Sequence, residues 1–393
     1  MAKSTHIAVI GAGAFGSWTA FFLLRQGVRV TLLDSWGPGN SRSSSGGDTR
    51  VLRAGYGEQT HYIELVARSL KLWLEWEKNW NCKLFHPMGL LRMYIEDDST
   101  MRACLPALKK FNFTVESLPI KEASNRFPQV NFEGIKYAYF EKDAGYLLAR
   151  RSCQVVVKEF LEEGGEYLQS VVKPDSVKNG ECKGLELSDG SRLIADKYLF
   201  ACGPWLGQIF PDWLGPLIRP SRQEIHYFGS PAGDLRFQEG IMPVWSEIGE
   251  KTYYGIPGNE HRGFKIALDK PGPDFDPTNG DRIPSSEGIA DARRLLAKRF
   301  PDLGNPPLLE ARVCQYENSP DADLIIDKHP EASNLWIAGG GSGHGFKMGP
   351  AIGEYLAARL LEQTSSVDCT MNKIFSLDRF QGPINFLSTG AIT

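Results

Sequence analysis

His6-Ile7-Ala8-Val9-Ile10-Gly11-Ala12-Gly13-Ala14-Phe15-Gly16, continued as far as Asp34, is the stretch from which the rest of the chain is read. The run His6 to Ile10 suits a buried strand and stops abruptly at three glycines spaced G-x-G-x-x-G. Ser17 to Gln26 then reads as a helix, and Val28 to Leu33 as a second apolar strand ending on Asp34. Strand, glycine turn, helix and strand in that order predict a dinucleotide-binding unit. In it Gly11 makes the turn, Gly13 lets backbone approach a pyrophosphate, and Gly16 lets the helix pack on the strand. Asp34 is placed to accept a hydrogen bond from an adenosine ribose hydroxyl. On these residues alone the dinucleotide is NAD or FAD.

Far along the chain a second glycine-rich stretch, Leu335 to Leu361, reads LWIAGGGSGHGFKMGPAIGEYLAARLL. A short apolar strand leads into Gly339 to Gly345, and a helix follows Pro350 with Ile352, Tyr355, Leu356 and Leu360 on one stripe. A glycine turn that feeds a helix N-terminus presents N–H groups and a positive dipole end to something electron-rich. Between strand and proline, Lys347 is the only cation and His344 the only imidazole. By itself this also reads as a tight connection with a solvated lysine.

Composition bounds the function. With 393 residues the chain is long enough for two or three domains and a large core. Its 44 basic and 47 acidic residues leave a formal charge of −3, so no broad positive field exists for nucleic acid or an anionic membrane. A small-molecule partner is expected. No apolar run approaches the roughly 20 residues that span a bilayer, and the start lacks a signal-peptide pattern, so a cytoplasmic protein is expected. Seven cysteines, at positions 82, 104, 153, 182, 202, 314 and 369, include no C-x-x-C pair. That argues against a disulfide framework and a thiolate metal site.

Between the two glycine-rich ends the chain changes character several times. Gly37 to Thr49 (GPGNSRSSSGGDT) is poor in core residues and reads as a flexible linker or as a loop of hydroxyls and amides around a long cofactor. Residues 62–80 look helical, with Leu65, Leu70, Leu72, Trp73 and Trp76 on a packed face. Leu84 to Ile95 reads as strand, Arg151 to Glu163 as a helix, and Leu193 to Phe200 as a strand rejoining the nucleotide unit. Gln223 to Phe228, Met242 to Glu247, Thr252 to Ile256 and Phe264 to Leu268 are short strands suited to an antiparallel sheet. The expected fold is α/β: a discontinuous Rossmann-like domain (1–80, 150–218, 320–385) with an interleaved antiparallel-sheet domain (81–149, 219–319). Here Lys265 reads as an ordinary strand-edge lysine and Cys314 as a small core residue.

Three motifs supply a more specific reading. Gly47-Asp48-Thr49-Arg50, with Arg53, Tyr56 and Gly57, gives GDTR-x-x-R-x-x-Y-G. Cys314, Tyr316, Pro320 and Asp321 give C-x-Y-x-x-x-P-D, and Ser342 to Lys347 reads SGHGFK. From residue 7 to about 361 the chain resembles the monomeric sarcosine oxidase family of D-amino-acid-oxidase-like flavoproteins. The resemblance implies FAD, joined by a thioether at Cys314. It implies a cofactor site of Gly11, Gly13, Ala14, Phe15, Gly16, Asp34, Ser45, Thr49, Arg50, Val172, Gly203, Trp205, Gly343, Gly345 and Lys347.

The implied reaction is oxidation of a secondary amino acid by hydride transfer to flavin N5, with O2 reduced to H2O2. Arg53 and Lys347 would bind the substrate carboxylate, and Lys265 would promote reaction with oxygen. Tyr254 and His344 join these in the reacting centre, and Trp245, Asp269 and Tyr316 are expected beside substrate. The chain departs from the family pattern at Ser45 and Gly46, where two histidines often stand, and at Asp269, where sarcosine oxidases tend to carry a histidine. A dehydrogenase with another electron acceptor would share nearly every motif. A flavin-binding protein without turnover is the non-enzyme alternative. A monomer is expected.

Overall fold

The computed structural model describes residues 5–363 and 370–387. Cys369 therefore lies outside the described residues. The other six cysteines are free thiols.

One sheet has six strands in the order Ile325–His329, Ala332–Gly339, Lys197–Phe200, His6–Ile10, Arg29–Asp34, Glu166–Gln169. His6–Ile10 lies at its centre, parallel to both neighbours and buried along its whole length. A parallel strand covered on both faces needs a continuous apolar run rather than alternation. The edge strand Ile325–His329 runs antiparallel to its neighbour.

The helices Ala14–Arg25 and Gly349–Leu360 pack together on this sheet. They approach closely because Gly353 has no side chain: a Cβ there would stand 2.6 Å from the Cβ of Trp18. Trp18 is also the hub of an aromatic cluster with Trp73 and Trp80, ring centroids 5.2 and 5.5 Å away, which seats the helix Thr60–Asn79. The tryptophan-rich face of that helix is core, and removing the ring it packs on by Trp18→Ala would cost about 3–5 kcal/mol.

The second large sheet has eight strands, in the order Leu308–Asn318, Arg219–Phe228, Phe264–Leu268, Tyr253–Ile256, Val244–Ile248, Leu90–Tyr94, Tyr137–Glu141, Val115–Leu118. All pairs are antiparallel except Val244–Ile248 with Leu90–Tyr94. The period of two divides its faces. Trp245, Phe264 and Ile266 join a core with Ala292, Leu295 and Leu296 of the helix Ser286–Arg299. Tyr254, Ala267, Tyr227 and Cys314 share the other face. That helix was not anticipated, although its start carries a signal: Ser285 caps it by accepting the Gly288 N–H (3.0 Å), with Glu287 in the first turn.

A three-stranded sheet, Thr49–Leu52, Gly145–Leu148 and Phe85–Pro87, connects these bodies. It also decides the fate of the loop before it. Asp48 and Gly47 carbonyls accept the Ala149 and Arg150 N–H groups at 2.8 and 3.0 Å, and a Cβ on Gly46 would lie 1.9 Å from the Asn40 oxygen. Gly37 to Thr49 is thus a pinned loop and not a free linker.

Candidate active site

A cavity of about 410 Å³ lies along the open end of the six-stranded sheet. Gly11, Gly13, Ala14 and Phe15 line it from the first turn, Asp34 from the second strand, Ser45 and Arg50 from the pinned loop. Val172, Gly203 and Trp205 line it from the middle of the chain, Gly343 and Gly345 from the glycine-rich return. Gly16, Thr49, Cys314 and Lys347 do not.

The three glycines of the first turn differ in what they allow. At Gly11 φ is +105°, and a Cβ would sit 2.4 Å from the Ala201 oxygen. At Gly16 a Cβ would sit 1.8 Å from the Gly11 oxygen, so its work is helix-on-strand packing. Gly13 leaves the helix N-terminus open to the cavity, with no side chain of its own capping it. Ser45 Oγ accepts the Ala14 N–H at 3.1 Å. Asp34 ties the region together: Oδ2 accepts Ala12 N–H at 2.8 Å and Oδ1 accepts Trp36 and Gly37 N–H, each at 2.9 Å. Burial pushes its carboxyl up, against the pull of these donors.

A long polar ligand fits this wall. Ser44 Oγ and Glu317 Oε2 are buried on it without a hydrogen-bond partner among the described residues, and such atoms are rare unless something else meets them.

A smaller cavity of about 70 Å³ adjoins the first and shares Arg50, Tyr316, Gly343 and Phe346 with it. Arg53, Arg92, Ser246, Thr252, Tyr254, Asp269, His344 and Lys347 add to its polar lining. Arg53 and Lys347 both stack on Tyr56, at 4.7 and 4.9 Å from the ring centroid. Arg53 also donates to the Gly55 carbonyl. Lys347 is buried, not solvated, and its Nζ donates to the His344 carbonyl at 2.9 Å. Trp73 Nε1 fixes the Lys347 carbonyl at 2.9 Å, so the aromatic helix positions this lysine. Burial, then the nearby Arg53, pushes the Lys347 pKa well below its usual range, while Asp269 pulls it back. The Asp269 carboxyl is pushed up by burial despite Arg53 and Lys347, and Tyr316 OH donates to it at a long 3.5 Å.

His344 is a strut and not the proton carrier expected of a catalytic histidine. Its Nε2 faces the Ala322 carbonyl at 3.0 Å, which can only accept, so Nε2 carries the hydrogen. Its Nδ1 then accepts from Tyr56 OH at 3.2 Å. Burial and the Lys347 charge hold its pKa down to about 3, so the ring stays neutral near pH 7.

Four further residues, Trp245, Lys265, Thr49 and Cys314, are placed differently from what their sequence positions suggested. Trp245 borders the small cavity, but its ring packs on Phe264 and Phe300, centroids 5.9 and 4.8 Å away, in the core of the opposite sheet face. Its neighbour Ser246 stands one residue on, in register with Tyr254, which is the consequence of strand alternation. Lys265 is no edge residue: it is fully buried in the sheet, and its Nζ donates to Thr49 O (3.0 Å) and Oγ1 (3.3 Å) instead of lining either cavity. Thr49 in turn holds Lys265 rather than the cavity wall. Burial, then Arg50, brings the Lys265 pKa down to about 7. Cys314 is buried, with Arg50 Nη2 3.4 Å from its sulfur; Arg50 lines the cavity and Cys314 does not.

Sequence reasoning passed over Tyr56, Arg92, Ser246 and Glu317 as site residues. Arg92 had a signal, a lone cation in the strand run Leu90–Tyr94; it pairs with Glu141 at 3.1 Å, and Glu141 accepts the Ala54 N–H at 3.1 Å.

The sequence pattern of the family described as FAD dependent oxidoreductase matches residues 6–359. The chain belongs to that family. Among FAD dependent oxidoreductases it is 32% identical to the monomeric sarcosine oxidase of Bacillus sp. (strain B-0618), over 96% of this chain and 97% of that one. It is 29% identical to the N-methyl-L-tryptophan oxidase of Salmonella heidelberg (strain SL476), over 95% and 98%. The fold is shared with the L-proline dehydrogenase of P.horikoshii, with a TM-score of 0.83 at 21% identity over 97% of this chain and 98% of that one. A thermally stable mutant of fructosyl peptide oxidase has the same fold, also at TM-score 0.83 and 21% identity, over 99% and 96%. Family membership makes FAD the cofactor, and the glycine turn and the partnerless polar atoms of the larger cavity suit a long polar ligand.

Proposed function

We propose that the protein is a FAD-dependent oxidase of secondary amino acids such as sarcosine, N-methyl amino acids or pipecolate-like cyclic amino acids, with O2 as acceptor. The observation that carries this reading is the pair Arg53 and Lys347, stacked on one tyrosine in the wall of the small cavity that adjoins the large one. Bound FAD would supply the two-electron acceptor, taking a hydride from the carbon beside the substrate nitrogen and passing the electrons to O2, while water hydrolyses the resulting imine.

The chain's own residues do the rest. Arg53 offers a planar fork and Lys347 a point charge for the substrate carboxylate. An incoming carboxylate would also restore the Lys347 proton that burial disfavours. Tyr254 and Tyr316 wall the substrate, and Asp269 accepts a hydrogen bond from its nitrogen or from a second polar group. Lys265 acts on oxygen from behind Thr49. The six-stranded sheet serves as the cofactor domain and the eight-stranded sheet as the substrate domain. Cys314 is the proposed point of covalent attachment.

Mixing the purified protein anaerobically with a panel of secondary amino acids should bleach the flavin bands, and admitting air should restore them with one peroxide per turnover. Flavin that no amine bleaches would sink the proposal. Bleaching followed by reoxidation only with a quinone or dye would favour a dehydrogenase, a reading supported by the engagement of Lys265 with Thr49. Acid precipitation tests Cys314: colour that leaves the pellet rejects the thioether.

A further inference from the structure

Glu317 lies on Leu308–Asn318, next to Tyr316 but facing away from it, and lines the large cavity. Its carboxyl is set among glycines. A Cβ on Gly341 would stand 2.9 Å from Oε1, and a Cβ on Gly203 would stand 3.1 Å from Oε2. The glycine-rich return and the turn after Lys197–Phe200 are thus cut to fit this side chain. Oε1 accepts the Gly341 N–H at 3.2 Å, whereas Oε2 is buried and has no partner. Among the described residues no cation pairs with it. The titratable groups around it are the Cys202 thiol, pushed up by burial and by the Asp34 and Glu317 carboxyls, and Tyr316 on its own strand. An ionised carboxylate in such a place has nothing to compensate its lost hydration.

We infer that Glu317 is a cofactor-binding residue: as a neutral carboxylic acid it accepts the Gly341 N–H through Oε1 and donates its own hydrogen from Oε2 to an oxygen of bound FAD. The inference rests on the chain's taking up FAD. Chemistry supports the neutral form. A protonated carboxyl has one donor, the described residues offer that donor no acceptor, and the cavity is where an acceptor can enter. FAD brings hydroxyl, carbonyl and phosphate oxygens, and its pyrophosphate would repel a carboxylate. Burial pushes the Glu317 pKa to about 8, only partly offset by the Gly341 N–H, so the acid is protonated at neutral pH. Because binding would raise that pKa further, FAD affinity is unaffected below pH 8 and falls, by up to about tenfold per pH unit, above it.

The test uses purified holoenzyme, Glu317→Gln, which keeps a donor at every pH, and Glu317→Leu, which has none. Two readouts serve: the flavin-to-protein absorbance ratio after gel filtration, and the temperature at which flavin fluorescence appears on heating at pH 6.5 and 9.5. That fluorescence reports departure from the site even if the flavin stays tethered. The wild type is expected to lose about 3–8 °C between the two pH values, and Glu317→Gln less than half of that. Glu317→Leu should release its flavin at a lower temperature than wild type at both pH values, and carry several-fold less of it if the flavin is not tethered, with far-UV circular dichroism unchanged. A wild-type release temperature in Glu317→Leu, or the same pH loss in Glu317→Gln as in wild type, would overturn the inference. A wild-type protein without any flavin would instead overturn the cofactor reading itself.

Discussion

The sheet face around Lys265 and the glycine-rich return around Lys347 each bury a lysine, and they do so differently. Both ammonium groups lose hydration, and both have an arginine as the next cause of a lowered pKa, Arg50 for one and Arg53 for the other. Lys265 is closed off: its hydrogen bonds go to Thr49, and its neighbour is the Tyr254 ring at 5.6 Å. Lys347 faces a cavity, with Asp269 in the same lining to oppose its charge. A dry cation with no cavity can act only on something small that diffuses to it. One at a cavity wall can hold a ligand. Burial alone therefore does not define a lysine's task; its open direction does.

The sharpest way to break this comparison is Lys265→Met. A fixed cation about 4 Å from a forming anion at an effective dielectric near 20 is worth about 4 kcal/mol, roughly three powers of ten in rate. Flavin reoxidation by O2 should slow by up to that factor while anaerobic reduction by substrate stays within about twofold. Stopped-flow absorbance measures both half-reactions, and equal reoxidation in mutant and parent would remove Lys265 from oxygen chemistry.

Arg53→Ala and Lys347→Ala should do the opposite. Each leaves a buried substrate carboxylate short of a partner, worth about 2–5 kcal/mol, so apparent substrate affinity should weaken tenfold or more with reoxidation preserved. Saturation kinetics that do not change would reject the carboxylate clamp.

The pH profile sharpens the contrast at lower amplitude. A lysine is charged below its pKa, so with a value of about 7 Lys265 is protonated in mild acid and loses its charge as pH rises through 7. Reoxidation should therefore fall by about tenfold per pH unit above that point until the uncharged rate is reached, and be flat in Lys265→Met. His344, with a pKa of about 3, should add no inflection between pH 5 and 9.

The smallest effect belongs to Trp245→Phe. Its ring fills the far core, so the loss should be about 1–3 kcal/mol of stability by denaturant unfolding, with KM within twofold of wild type. A large rise in KM would return Trp245 to the substrate wall.

The larger cavity was far more legible than the smaller. Gly11, Gly13, Ala14, Phe15, Asp34 and Ser45 were expected at one ligand, and all of them line one cavity. Gly11, Gly13 and Asp34 come from one βαβ unit, where turn geometry and periodicity confine the options, while Ala14, Phe15 and Ser45 were expected from the family resemblance. The smaller cavity draws its polar groups from seven separated segments, and no local pattern says which of them face inward. Ser246 was missed and Trp245 misassigned for one reason: a strand's period was visible, but not which phase faces the cavity.

By itself the sequence determined the strand, glycine turn, helix and strand that open the chain, the glycine return, and the family. These depend on steric limits and hydrogen bonds within about thirty residues or on motifs that can be read in order. Only the tertiary structure decided that Lys265 and Lys347 are dry, that Tyr56 meets His344 across 288 residues, and that Glu317 stands without a counterion among the described residues. Protonation and hydrogen bonding at such groups depend on what packs around them, and that is set by segments the chain brings together only on folding.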